Sequence, residues 1–168
     1  MLKKYRVLSI DCDWVLTLKH QTDLLSFLIP ILNNHNKIFF SYMHHDINKY
    51  FNLNFEECDI VNIDHHHDAG YDLKKNSFLH EGNWLYHLLQ IFPQKINYHW
   101  ICNTDSEPVN WKEYSPSFYK NIKDYSFTFD INKIKNKNYD LIFICCSPEY
   151  NGEVGVTTYK ILENLYET

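Results

Sequence analysis

The stretch "CDIVNIDHHHD" (Cys58–Asp68) decides the fold. A short apolar run rich in β-branched residues ends abruptly at Asp64. Such a run, too short for a core helix, reads as a strand buried in a parallel sheet. Three histidines and a second aspartate follow at once, and a surface loop does not need three consecutive imidazoles. In an extended chain end, alternate residues face the same side. Asp64, His66 and Asp68 therefore aim together, while His65 and His67 face away as packing or supporting groups.

Working outward, similar apolar runs predict strands over 5–11, 37–43, 96–103, 125–130 and 139–146. Helical spacing predicts helices over 22–35, 81–92 and 154–167, the first capped near Thr22 or Asp23 with a possible kink at Pro30. Shorter helical turns are expected in "INKYFNL" (47–53) and "SPSFYKNI" (115–122). Strands alternating with helices imply an α/β chain, a three-layer αβα domain with a mostly parallel sheet spanning 1–168. Ligands of such sheets bind beyond the carboxyl ends of the strands. Four strands deliver polar groups there: Asp11 and Asp13, then His44, His45 and Asp46, then Asp64, His66 and Asp68, and last Ser147 and Glu149.

Bulk composition narrows the function classes. At 168 residues, with 45% hydrophobic and 17% aromatic residues, the chain suits one globular core. A net charge of −5 with scattered lysines argues against a nucleic-acid partner. No apolar run is long enough to span a membrane, so no membrane partner is expected. Five cysteines without a C-x-x-C, and no signal-peptide pattern at the N-terminus, read as reduced thiols in a cytoplasmic protein. Composition and pattern leave the oligomeric state open.

Asp11-x-Asp13 and Asp64-x-His66-x-Asp68 together offer four carboxylates and an imidazole, and His45 adds a second imidazole. Hard oxygen donors with a few nitrogens suit Mn²⁺, and less exclusively Fe²⁺, Co²⁺ or Zn²⁺. Four carboxylates at close range repel unless cations intervene. Two divalent ions resolve that repulsion and ionise a bridging water.

The same residues resemble a known family. "IDHHHDAGY" (63–71) resembles the D-A-H-x-D metal motif of the arginase/ureohydrolase superfamily, and "SIDCDW" (9–14) its S-x-D-x-D motif. Small arginase-related proteins, similar to peptide arginases, also carry the "NW" at Asn83–Trp84 and the "SPE" at 147–149. In arginases the D-x-D motif follows D-x-H-x-D; here it precedes it. The resemblance implies an arginase/deacetylase-like fold and a hydrolase of linear amidines acting on C–N bonds. Its implied cofactors are two divalent ions, Mn²⁺ first, and its implied partner is a small-molecule or peptide substrate bearing a guanidinium. It implies that Asp64 and Asp11 bridge the ions. Asp68 and His45 would complete one ion's shell, and His66 and Asp13 the other's. His44, one residue away, is the rival to His45. His80 would move a proton to the leaving amine, and Glu149 would grip the guanidinium.

Two other classes compete. "SIDCDWVLT" (9–17) also resembles the opening of haloacid-dehalogenase-type phosphatases, with Asp11 as nucleophile, Asp13 as acid, Ser41 on the phosphate and one Mg²⁺. That reading leaves Asp64, His66 and Asp68 without a role. A non-catalytic domain that binds metal or a partner is the third class.

Overall fold

The computed structural model describes residues 4–51, 54–70, 78–108, 116–134, 138–147 and 149–166. Six strands form one all-parallel sheet: β1 (Lys4–Asp11), β2 (Ile38–Ser41), β3 (Glu57–Ile63), β4 (Ile96–Ile101), β5 (Asp124–Thr128) and β6 (Leu141–Cys145). Their spatial order is β2-β6-β1-β3-β4-β5. The helices are α1 (Leu18–Leu32), α2 (Trp84–Ile91), α3 (Pro116–Asn121) and α4 (Glu153–Tyr166). No helix among the described residues is long and apolar enough to cross a membrane.

Each face of the sheet carries its own core. Val7, Ile60, Tyr98 and Phe143 pack with Trp84, Leu88 and Phe118 from α2 and α3. Leu8, Ile10, Ile63 and Ile144 pack with Leu24, Leu28, Tyr159 and Leu162 from α1 and α4. The result is the three-layer αβα arrangement, and β1, β3 and β6 are apolar on both faces because both are covered.

The topology places the site. From β1 the chain crosses past β6 to reach β2, then returns to β3 on the other side of β1. This change of direction opens a crevice at the carboxyl ends beside β1. Parallel pairing matches Ile10 with Ile63 and Asp11 with Cys145. Asp11 and Asp64 therefore leave neighbouring strands side by side, whichever motif comes first in the chain.

Several boundaries differ from the sequence reading. Helix α1 starts four residues earlier than expected, because the Thr17 hydroxyl accepts the His20 amide and caps it. Pro30 lies inside this helix, near its end. The turn expected in "INKYFNL" is a 3-10 helix that starts at His44 and ends at Lys49. The segment over 81–92 is a 3-10 turn (Glu81–Asn83) running into α2. Trp14, Trp84 and Trp100 are core residues, whereas Trp111 lies outside the described residues.

One contact ties α4 to the site. A Cβ on Gly155 would lie 2.5 Å from the Cys12 carbonyl oxygen and 2.3 Å from the Asn151 side chain. Only a glycine lets the helix approach the turn after β1 so closely. Gly155→Ala should therefore cost about 1–3 kcal/mol through overpacking against a backbone that cannot swing away. Urea unfolding checks this, and an unchanged midpoint would contradict it.

Candidate metal centre

Strand β1 ends at Asp11, and a 3-10 turn (Cys12–Trp14) holds Asp13. The Asp11 carboxylate accepts the Asp13 amide at 3.1 Å and the Ser147 hydroxyl at 2.6 Å. Asp13 accepts the His65 amide at 3.0 Å, and its other oxygen lies 2.7 Å from His66 Nδ1. The chain order of the two motifs thus ends in mutual support.

Beyond Ile63 the chain is no longer extended, so the two-residue alternation does not bring Asp68 to the site. A bend does: Asp68 has φ of 51°, in the left-handed region that aspartate tolerates better than most residues. Its carbonyl accepts the Leu85 amide and its carboxylate accepts Trp84 Nε1 at 2.6 Å. Gly70, two residues on, has φ of 145°, which a side chain would disfavour, and its amide bonds the Gly82 carbonyl. Asp64 accepts the His66 amide at 2.7 Å and Asn62 Nδ2 at 3.0 Å, while Trp100 Nε1 holds its carbonyl.

The histidine assignment needs correction. His44, not His45, joins the carboxylates. Its Nδ1 lies 2.8 Å from Asp68, 3.2 Å from Asp64 and 3.5 Å from Asp11. His45 turns away, its Nδ1 3.3 Å from Glu81. The reason is local: the 3-10 helix opens at His44, which buries completely between Trp84 and Phe143. The other ring nitrogen of His44 meets the Ser9 hydroxyl at 2.7 Å. Buried Nδ1 makes no hydrogen bond, although three carboxylate oxygens surround it. An imidazole nitrogen so placed can pair with the carboxylates when protonated and donate its lone pair to a cation when not, while Ser9 engages the other ring nitrogen.

Two metal-sized groupings share Asp64. His44, Asp64 and Asp68 form one, and Asp13, Asp64 and His66 the other, each with donor atoms within 4.8 Å of one another. Asp11 and His44 form a further grouping with Cys145, a cysteine whose place beside the site the sequence reading did not foresee. Burial and the charge of Asp11 push the Cys145 thiol well up, so it stays protonated and a weak donor.

The electrostatics carry the strain of four clustered carboxylates. Burial pushes Asp64 up to about 7, and the charge of Asp68 adds to it, with His44 opposing. Asp13 is raised well above the carboxylate range by burial and by Asp11 and Asp64. Burial opposes ionisation of Asp11 too, but His44, Ser147 and the Asp13 amide outweigh it and hold Asp11 at about 2. Burial disfavours the His66 cation, yet Asp13 and Asp64 lift it to about 9. For His44 burial is overridden by Cys145 and the surrounding carboxylates, which raise it well above its ordinary value. His67 shifts the other way. Burial, with the charge of His66, drives it to about 3. The residues fit a pair of divalent cations, which would relieve the repulsion and occupy the space at His44 Nδ1.

A cavity of ≈ 220 Å³ opens over this cluster, lined by Asp11, Asp13, His66, Asp68, His80, Glu81, Gly82, Ser147 and Tyr150. His80 therefore reaches the site as expected. Its Nδ1 accepts the Gly82 amide at 3.1 Å, which leaves Nε2 as the other ring atom. Glu149 does not reach it: the residue is exposed in the turn beyond β6 and is absent from the cavity wall. The acidic side chain in the wall is Glu81. Pro148 and Tyr71 of the quoted motifs lie outside the described residues.

Sequence reasoning missed Ser9, Asn62 and Glu81. The first two carried a signal: each is a polar residue inside a buried strand, two places before a site aspartate and so on the same face. Glu81 carried none, because its position depends on how the 3-10 turn seats against the cavity.

A pH dependence follows. Asp64 and His66 both have raised values, so each contributes most to stability below its ordinary value. That contribution is lost as pH rises through about 7 for Asp64 and about 9 for His66. His67 acts only below about 6.5, where stability falls as pH falls towards 3. Between about pH 6.5 and 9, ion-free protein should therefore lose thermal stability, and the rise in Tm on adding Mn²⁺ should widen. Thermal unfolding in chelator and in Mn²⁺ across that range checks this. A gap that stays constant or narrows would contradict it.

Compared with known proteins, the chain matches no family model, no curated sequence and no solved structure.

Proposed function

We propose that this chain is a two-metal hydrolase acting on a guanidinium or amidine group, with Mn²⁺ as the first candidate ion. The observation that carries the reading is the pair of donor groupings sharing Asp64, with orphaned His44 Nδ1 buried in one of them. His44 and Asp68 would hold one ion, His66 and Asp13 the other, and Asp64 and Asp11 would serve both. Bound ions of this kind polarise a substrate and bring the pKa of a water down to about 7.

The chain's own residues do the remainder. Ser147 and the Asp13 amide hold the Asp11 carboxylate in place, and Trp84 holds Asp68. His80 Nε2 is the ring atom left to carry a proton to a leaving amine, because Nδ1 is engaged by Gly82. The cavity suits the head of a side chain rather than a large ligand. Exposed Tyr42, Met43, Phe78, Leu79 and Tyr150 sit in the segments after β2, before α2 and after β6. Apolar side chains on this edge favour a head group carried on a peptide over a free, fully polar amino acid.

The phosphatase reading has less support. It gives no part to Asp64, His66 or Asp68, which lie with Asp11 and Asp13 in the same cluster, and Ser41 is engaged by Asp46 at 2.8 Å.

The test is urea release from an arginine-containing peptide in the presence of Mn²⁺. Asp64→Asn and chelator should each abolish it. His80→Ala should lower kcat by roughly 10²–10⁴-fold while leaving the metal content unchanged. Chelator-insensitive activity would overturn the reading. So would phosphate-ester hydrolysis lost in Asp11→Asn but retained in His66→Ala.

A further inference from the structure

The donors around the two ion positions differ in kind. Asp13, Asp64 and His66 offer oxygen and nitrogen alone. At the inner position, Asp11 and His44 stand with the thiol of Cys145, all three donor atoms within 4.8 Å of one another. Metal–ligand bonds of about 2.0–2.3 Å let one ion reach donors so spaced.

The fold puts this sulfur there. Cys145 ends β6 and pairs in register with Asp11 on β1, so the two side chains leave adjacent strands on the same face. Phe143, two residues earlier on that face, carries the His44 ring stacked at 6.1 Å and 9°. Cys145 and His44 are fully buried, and Asp11 nearly so. His44 Nε2 meets Ser9, which leaves Nδ1, buried and without a hydrogen bond, as the nitrogen able to ligate.

The other cysteines stand elsewhere. Cys12 and Cys146, the chain neighbours of Asp11 and Cys145, belong to the core on the opposite face. Cys58 lies at the amino end of β3, and Cys102 Sγ faces the Thr128 carbonyl at 3.5 Å. One thiol of the five therefore joins the cluster.

In the ion-free protein this thiol is protonated and a weak donor, but a thiophilic ion changes that. Binding breaks the S–H bond, forms a sulfur–metal bond and releases the proton to solvent. Zn²⁺ gains from a thiolate, whereas Mn²⁺, which suits oxygen donors, gains little.

We propose that Cys145 is a ligand of the inner ion, beside His44 and Asp11, which makes that position a nitrogen, oxygen and sulfur site for Zn²⁺. The outer position at Asp13 and His66 keeps oxygen and nitrogen donors and suits Mn²⁺. This assignment rests on the metal reading of the cluster and is independent of the substrate.

The test is X-ray absorption at the zinc edge of full-length protein loaded with equimolar Zn²⁺. Wild type should show about one sulfur at about 2.3 Å from the zinc. Cys145→Ser and Cys145→Ala should each remove it, and Cys146→Ser should leave it in place. Cys145→Ser should also weaken Zn²⁺ binding by about 10–100-fold and Mn²⁺ binding by less than about twofold. A wild-type shell of nitrogen and oxygen alone would overturn the proposal, as would a sulfur that persists in both Cys145 variants. Metal content in excess Zn²⁺ reads the two-metal assignment separately. Two ions without the sulfur would sink this proposal and keep that assignment, and one ion with it would do the reverse. A chain that binds no zinc would overturn both.

Discussion

Four carboxylates brought together at a buried sheet edge repel one another, and the local structure is organised around that repulsion. Burial first, and then their mutual charge, raise Asp13 and Asp64 above the usual carboxylate range. In the ion-free protein two imidazoles offset part of the charge, His44 from below and His66 at the rim. Divalent cations bound at the cluster would relieve what remains.

The fold supplies what holds the carboxylates there. Parallel pairing of β1 with both β3 and β6 sets Asp11 beside Asp64 and Ser147. Indole, hydroxyl and amide donors then fix individual oxygens: Trp84 on Asp68, Ser147 on Asp11, Asn62 on Asp64. Hydrogen bonds of this kind orient ligands before any ion arrives, which limits the ordering that binding must impose. The left-handed turn at Asp68 serves the same end, returning the chain to the crevice within four residues of Asp64.

Much of this was legible in the sequence, because strand ends and hydrophobic runs obey simple periods. "YRVLSID" and "CDIVNID" declare buried strands that stop at aspartates, and the rule for open α/β sheets then gathers their ends. The parts that were not legible depend on geometry past the strand ends. Whether His44 or His45 turns inward depends on where a 3-10 helix begins, and neither residue type nor spacing records that. The alternation argument grouped Asp64, His66 and Asp68, and the structure brings them to one sheet edge, but Asp68 arrives through a bend instead of strand pleating. Glu149 looked well placed after β6, yet the turn that follows Ser147 exposes it, and Glu81 from a distant segment stands in the cavity wall.

The account's central claim is a two-ion site built on His44 and shared through Asp64. Elemental analysis of wild type, His44→Ala and His45→Ala after loading with Mn²⁺ tests it most directly. Wild type and His45→Ala should hold about two ions per chain, and His44→Ala about one or fewer. Wild type without bound metal would contradict it, and so would loss of an ion in His45→Ala with both retained in His44→Ala.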